Sequence, residues 1–214
     1  MLRKFYDRLL SAYGPQGWWP AETPTEVVIG AILTQNTSWK NVERAIANLQ
    51  TAQMLSWTAL RDVAEARLAE LLRPSGTYRV KARRLKAFVD CLWQTSDGDL
   101  ARFLDGRMSS ARKRLLSIPG IGSETADAIL LYAAGRPTFV VDAYTRRILQ
   151  RHGLIDQKVD YEGIQQLFHR TLTPDAAKFN EYHALLVEVG KRHCRAKAAC
   201  EGCPLADLPH DADR

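Results

Sequence analysis

Long apolar runs are absent from this 214-residue chain, and no stretch approaches the length of a membrane span. The N-terminal Met1-Leu2-Arg3-Lys4-Phe5-Tyr6-Asp7 is amphipathic, but it lacks the apolar core and small-residue cleavage site of a signal peptide. Both absences lead to the expectation of a cytoplasmic protein. Also missing are a convincing strand pair, an internal repeat and a low-complexity linker, which excludes repeat architectures and disordered tethers. Cysteine is scarce, with 4 residues. Cys91 stands alone in Phe88-Val89-Asp90-Cys91-Leu92-Trp93, where a small buried apolar residue fits. The other three fall within ten residues near the C-terminus, and in a cytoplasmic chain such a group points to metal rather than to disulfides.

What is present is of ordinary globular make-up, 46% hydrophobic and 25% charged. At this length the chain forms one large domain or two small lobes, and either can bury its own core. Lys and Arg number 30 against 24 Asp and Glu, a net +6 that is compatible with nucleic-acid binding without demanding it. Distribution is more telling. Arg79, Lys81, Arg83, Arg84 and Lys86 crowd one segment, and Arg112, Lys113 and Arg114 another. Either cluster alone suits a solvated helix face as well as a phosphate track. Apolar residues at helical spacing run through 27–33, 42–49, 60–72, 80–93 and 123–134. Thr23-Pro24-Thr25-Glu26 predicts a helix start, while Pro74-Ser75-Gly76 and Gly135-Arg136-Pro137 predict breaks. Residues 209–214 read as a loose tail. The fold class is all-α.

Two helical segments meet at Leu116-Ser117-Ile118-Pro119-Gly120-Ile121-Gly122-Ser123-Glu124-Thr125-Ala126. Glycine has no Cβ, so main-chain N–H groups in such a turn can approach a bulky anion at a helix start. Two helices joined this way form a helix-hairpin-helix, which grips DNA phosphate through its amides. Sixteen residues after Ala126 comes Asp142, in Phe139-Val140-Val141-Asp142, at the head of another helical segment that it can cap. Together these features resemble the endonuclease III-like helix-hairpin-helix DNA glycosylases, and the resemblance spans the chain. It implies a two-lobed all-α fold with a C-terminal cysteine-cluster loop. Residues 21–135 would form a helical barrel lobe with the hairpin; 1–20 and 136–214 would form the second, with a cleft between and Asp142 at its mouth. Pro119, Gly120, Ile121, Gly122 and Thr125 are then expected at the DNA, and Asp142 in catalysis. The chemistry agrees, because breaking an N-glycosidic bond builds positive charge on deoxyribose that a fixed carboxylate offsets.

Glu124 departs from the family's bifunctional members, which carry at that position a lysine that forms a Schiff base and cuts the strand. A carboxylate cannot form the imine. Base removal with little or no lyase activity is expected, with Glu124 as a second catalytic-pocket residue. Gly17-Trp18-Trp19-Pro20 and Thr34-Gln35-Asn36-Thr37-Ser38-Trp39 resemble the 3-methyladenine glycosylase branch, where such aromatics sandwich the extruded base. Trp18, Trp19, Pro20 and Trp39 are therefore the expected base pocket. Alkylated purines carry positive charge, which aromatic faces attract by about 0.5–2 kcal/mol. Gln35 and Asn36 are expected to supply a plug for the vacated stack, offsetting a flipping cost of roughly a few kcal/mol. The stretch Leu72-Arg73-Pro74-Ser75-Gly76-Thr77-Tyr78-Arg79-Val80-Lys81-Ala82 also matches the family, and places Gly76 and Lys81 at the DNA backbone.

The family's cluster motif is Cys-x6-Cys-x2-Cys-x5-Cys, and this chain offers Cys194-x5-Cys200-x2-Cys203, with Pro209 at the fourth position and His210 beside it. The resemblance implies a [4Fe–4S] cluster on the three cysteines, with His210 or an external group fourth. Zinc, or a decayed loop without metal, are the alternatives. The expected protein is a monomeric, cytoplasmic, nucleoid-associated enzyme that removes alkylated purines from double-stranded DNA containing a damaged base. Release of oxidised pyrimidines or mismatched thymine is the alternative within the class. Outside it stands a non-catalytic DNA-binding protein, which has no use for a carboxylate near the sugar.

Overall fold

The computed structural model describes residues 1–19 and 21–212. Among them are twelve α-helices, one short 3-10 turn, one π turn and no strand. No helix of the described residues is long and apolar enough to cross a membrane. The chain divides into two compact units, Ala21–Ala134 and Met1–Pro20 with Gly135–Arg214. After α1 (Leu2–Tyr13), which belongs to the terminal unit, the hairpin unit holds α2 (Pro24–Leu33), α3 (Trp39–Thr51), α4 (Trp57–Asp62) and α5 (Glu65–Leu71). It continues with α6 (Tyr78–Ser96), α7 (Leu100–Leu104), α8 (Met108–Leu116) and α9 (Ser123–Ala128).

The hairpin unit is built around α2. Thr23 caps it, its hydroxyl accepting the Glu26 N–H at 3.2 Å, and Pro24 occupies the first turn, where a missing N–H costs nothing. Residues 27–33 are all buried. A helix apolar on every side is the centre of a core, and α3, α6, α9 and the π turn pack around this one. On α6 the buried positions are Lys81, Ala82, Leu85, Phe88, Val89, Leu92 and Ser96, a stripe at helical spacing that begins with a cation.

Two predicted helices are interrupted. The run 60–72 splits because Val63 and Ala64 are extended. Lys86 Nζ on α6 donates to the carbonyls of Leu60 (3.1 Å), Arg61 (2.6 Å) and Val63 (3.0 Å), which a continuous helix would have bonded internally. The run 123–134 is α-helical only to Ala128; residues 129–133 form the π turn, closed by the Ala134 N–H to Ile129 O at 3.3 Å.

In the terminal unit, α10 (Ala143–Arg151) and α1 pack on α12 (Ala176–Arg192), while α11 (Tyr161–Thr171) packs on α1 and meets α12 through the Phe168 and Tyr182 rings. Leu2, Phe5 and Leu9 bury one face of α1, and the Tyr182 hydroxyl donates to Leu2 O at 2.7 Å. Gly190 admits the Tyr144 ring so closely that a Cβ there would meet it at 2.4 Å. Phe139, Val140 and Val141 are buried in an extended stretch that pairs with no strand. Side chains of α11 replace the missing ladder. Gln165 Nε2 donates to Phe139 O at 2.8 Å, the Phe139 N–H donates to His169 Nε2 at 3.0 Å, and the Val141 N–H donates to the Tyr161 hydroxyl at 3.4 Å. Phe139 also stacks on Phe168 with ring centroids 3.5 Å apart. The segment leading to Asp142 is thereby fixed. The tail expected to be loose is tied through its described part: the Asp211 N–H donates to Arg151 O at 2.7 Å, and His152 Nδ1 lies 2.9 Å from Pro209 O.

The two helices of the hairpin are clamped by a forked ion pair. Arg112 Nε and Nη2 donate to Asp127 Oδ1 and Oδ2 at 2.9 and 3.0 Å, and the Asp127 side chain is fully buried. Removing one partner leaves the other charge poorly solvated. Asp127→Ala is expected to destabilise the protein by about 3 kcal/mol in urea unfolding; a loss below about 1 kcal/mol would show that the clamp contributes no more than a surface pair.

Candidate functional site

The hairpin turn is tight and exposed at its tip. Ile118 and Ile121 are buried on either side of exposed Pro119 and Gly120, and the Ile121 N–H donates to Ile118 O at 3.1 Å. Gly120 has φ +87°, a left-handed conformation that favours glycine. A Cβ there would also stand 2.4 Å from Arg84 Cγ. Gly122 is exposed and precedes the first turn of α9. Glu124 is exposed in that first turn, where the helix dipole favours a carboxylate. Thr125 is buried.

The turn 34–38 in the same unit is fastened to the hairpin. Gln35 Nε2 donates to Gly120 O at 3.2 Å and to Thr125 Oγ1 at 3.0 Å, and Gln35 Oε1 accepts from Arg84 Nη1. Of the two residues expected to act as a plug, Gln35 is thus engaged inside its own unit. Asn36 is exposed, with φ +53°. Trp39 opens α3 half-buried, and Gly76 is exposed with φ +67°.

Lys81 corrects the sequence reading. It was expected at the DNA backbone, yet only 1% of it is exposed. Its Nζ donates to Leu33 O at 2.8 Å and to Ser75 O at 2.5 Å. Burial, aided by the Arg84 charge, pushes its pKa down to about 8. Lys86 is similarly spent on α4. Of the basic cluster 79–86, Arg79 and Arg83 are the exposed members. Nothing in the residue type announces this: a lysine among arginines before a helix reads as surface charge.

In the terminal unit, Asp142 is the N-cap of α10, and its Oδ1 accepts the Thr145 N–H at 2.7 Å. The side chain is 14% exposed, and Oδ2 lies 3.7 Å from Nε2 of His183 on α12. Burial pushes the His183 imidazole below its ordinary pKa, against the pull of Asp142. The sequence reading missed His183, which looks like a core histidine in the apolar stretch Tyr182-His183-Ala184-Leu185-Leu186. Trp18 and Trp19 are half-buried and meet edge to face at 5.9 Å, with Lys191 Nζ 5.3 Å from the Trp18 ring centre. Pro20, the remaining pocket residue, lies outside the described residues.

The cysteine loop is organised by arginines. Arg151 Nη1 donates to Cys194 Sγ at 3.2 Å and to Arg195 O at 2.7 Å, its Nη2 donates to Ala196 O at 2.8 Å, and Arg147 Nε donates to Cys194 O at 2.7 Å. No cysteine is in a disulfide. Burial raises the Cys203 thiol pKa, against a backbone hydrogen bond at Leu205 that lowers it. His210 Nδ1 instead lies 2.8 Å from Leu208 O, with its ring 5.4 Å from that of His152. Among the described residues no three His, Cys, Asp or Glu side chains come together closely enough to hold a metal ion. Cys194, Cys200, Cys203 and His210 are thus not gathered as a ligand set, and no step of the chemistry is routed through them.

Comparison with known proteins adds an independent line. Residues 29–174 match the family described as HhH-GPD superfamily base excision DNA repair protein. A candidate DNA repair glycosylase of Methanocaldococcus jannaschii is 49% identical over 210 residues, covering 97% of this chain and 95% of that protein. The crystal structure of the H. pylori 3-methyladenine DNA glycosylase MagIII, bound to 1,N6-ethenoadenine, is 28% identical with a TM-score of 0.76, covering 89% of this chain and 95% of that one. A non-covalent endonuclease III–DNA complex shares the fold with a TM-score of 0.83 at 22% identity, over 97% and 93% of the two chains. With the hairpin turn, the capping aspartate and a family match over most of its length, this chain belongs to the HhH-GPD superfamily of base excision DNA repair proteins.

Proposed function

We propose that this protein is a monofunctional DNA glycosylase that releases N3- and N7-alkylated purines from duplex DNA. The observation that carries the reading is Asp142, a nearly buried carboxylate held by the Thr145 N–H through one oxygen, with the other oxygen 3.7 Å from the His183 imidazole. Such a group holds a carboxylate in a fixed place. As the C1′–N bond breaks, its electron pair neutralises the cationic base and positive charge grows on the sugar, where Asp142 offsets it. Water then forms the new C1′–O bond and its proton passes to Asp142 or to solvent.

Two further features support this lesion class. Trp18, Trp19 and Trp39 supply electron-rich faces of the kind that attract a cationic base. The likeness to a 3-methyladenine DNA glycosylase extends over 89% of the chain. Pro119 to Gly122 take the phosphate backbone, with the exposed Arg79 and Arg83 as added charge. Glu124 stands where a Schiff-base lysine would be needed for strand cleavage.

Asp142→Asn changes charge at nearly constant volume, and is expected to slow base release about 100- to 1000-fold while duplex affinity stays within about threefold. Single-turnover release measured alongside binding checks this. Near wild-type release in the variant would remove Asp142 from the chemistry.

Lyase activity gives a second test. With wild-type protein and a lesion-bearing duplex, breaks are expected only after alkali, and borohydride is expected to trap almost no protein–DNA adduct. Efficient trapping would show that an amine of this chain forms the imine, and would contradict a monofunctional enzyme.

A further inference from the structure

Three turns of the hairpin unit converge on one helix. Lys81 and Arg84 stand one helical turn apart on α6. Lys81 Nζ donates to Leu33 O, at the entrance to turn 34–38, and to Ser75 O, in the turn that precedes α6. Arg84 donates to Gln35 Oε1 and lies against Gly120, leaving no room for a Cβ. Gln35 completes the circuit through Gly120 O and Thr125 Oγ1 in the hairpin. Each turn contains left-handed backbone, at Asn36 (φ +53°), Gly76 (φ +67°) and Gly120 (φ +87°). Short turns of this kind open locally unless something outside them holds them.

We propose that Lys81, Arg84 and Gln35 are positioning residues that lock the turns 34–38, 73–77 and 117–122 into a single platform, and that this platform sets how readily a damaged nucleotide leaves the helix. The second half rests on the glycosylase reading given above; the first half stands on the geometry alone. Within the platform Gln35 anchors its turn, and Asn36 is the side chain left exposed at the tip. A hairpin gripping phosphate and a turn facing the gap then move as one piece. Loosening them raises the cost of extrusion and leaves Asp142 untouched.

Two measurements test the two halves. In hydrogen exchange on the free protein, Arg84→Met is expected to lower protection about tenfold together in 34–38 and 117–122, as loss of one charge-assisted bond does. Lys81→Met is expected to do so in 34–38 and 73–77. Changes confined to α6 itself would overturn the platform, and Arg84, only partly buried, keeps the test available if Lys81→Met does not fold. For function, single-turnover release of an alkylated purine is compared between a fully paired duplex and one in which the lesion sits in an unpaired bulge. Arg84→Met and Gln35→Glu are expected to slow the paired substrate about tenfold or more and to recover to within about threefold of wild type on the bulge, where extrusion costs little. Equal losses on both substrates would overturn the role in extrusion. Wild-type protein that releases base from neither duplex would contradict the glycosylase reading and the extrusion role with it, while the exchange result still decides the platform.

Discussion

A buried ammonium sets the terms for the hairpin unit. Lys81 heads the apolar stripe of α6, where an uncompensated cation would cost several kcal/mol. Oxygens able to receive it exist only where carbonyls have no partner inside their own element, at the ends of helices and in turns. Leu33 closes α2 and Ser75 lies in the turn before α6, so satisfying the lysine fixes both ends. Lys86 follows the same logic at the end of α4. Two residues that look like phosphate contacts are therefore struts, and the helix ends and turns beside them take their positions from them.

The terminal unit solves a different problem, that of holding a negative charge still. Asp142 divides its oxygens: Oδ1 caps α10 and Oδ2 sits 3.7 Å from His183. Capping alone would be satisfied by serine or asparagine. The buried extended stretch 139–141, held by Gln165, His169 and Tyr161 of α11, gives the carboxylate a rigid mount. A charge held this way needs no reorganisation when opposite charge develops beside it.

Much of this was legible in the sequence, and for identifiable reasons. The hairpin shows because Pro119-Gly120-Ile121-Gly122 combines apolar anchors with a glycine that only a tight turn requires. The helix α2 shows because Thr23-Pro24-Thr25-Glu26 caps an unbroken apolar run. The split between α4 and α5 was hidden, since neither Val63 nor Ala64 is a breaker and the cause is Lys86, more than twenty residues away. Lys81 and His183 were misread or missed for a similar reason. Their meaning lies in which carbonyl or carboxylate the fold brings to them, and no local pattern records that. The cysteine spacing was visible, but the arginines that grip Cys194 come from α10.

Which base leaves decides the assignment. Matched duplexes carrying one N3-methyladenine or one oxidised pyrimidine, incubated with wild-type protein under single-turnover conditions and scored for alkali-labile sites, compare the two classes directly. The proposed roles of the Trp18, Trp19 and Trp39 faces and of Asp142, with Glu124 in place of a Schiff-base lysine, predict abasic sites at the cationic purine and none above background at the pyrimidine. Faster release of the oxidised pyrimidine, or strand breaks without alkali, would contradict it.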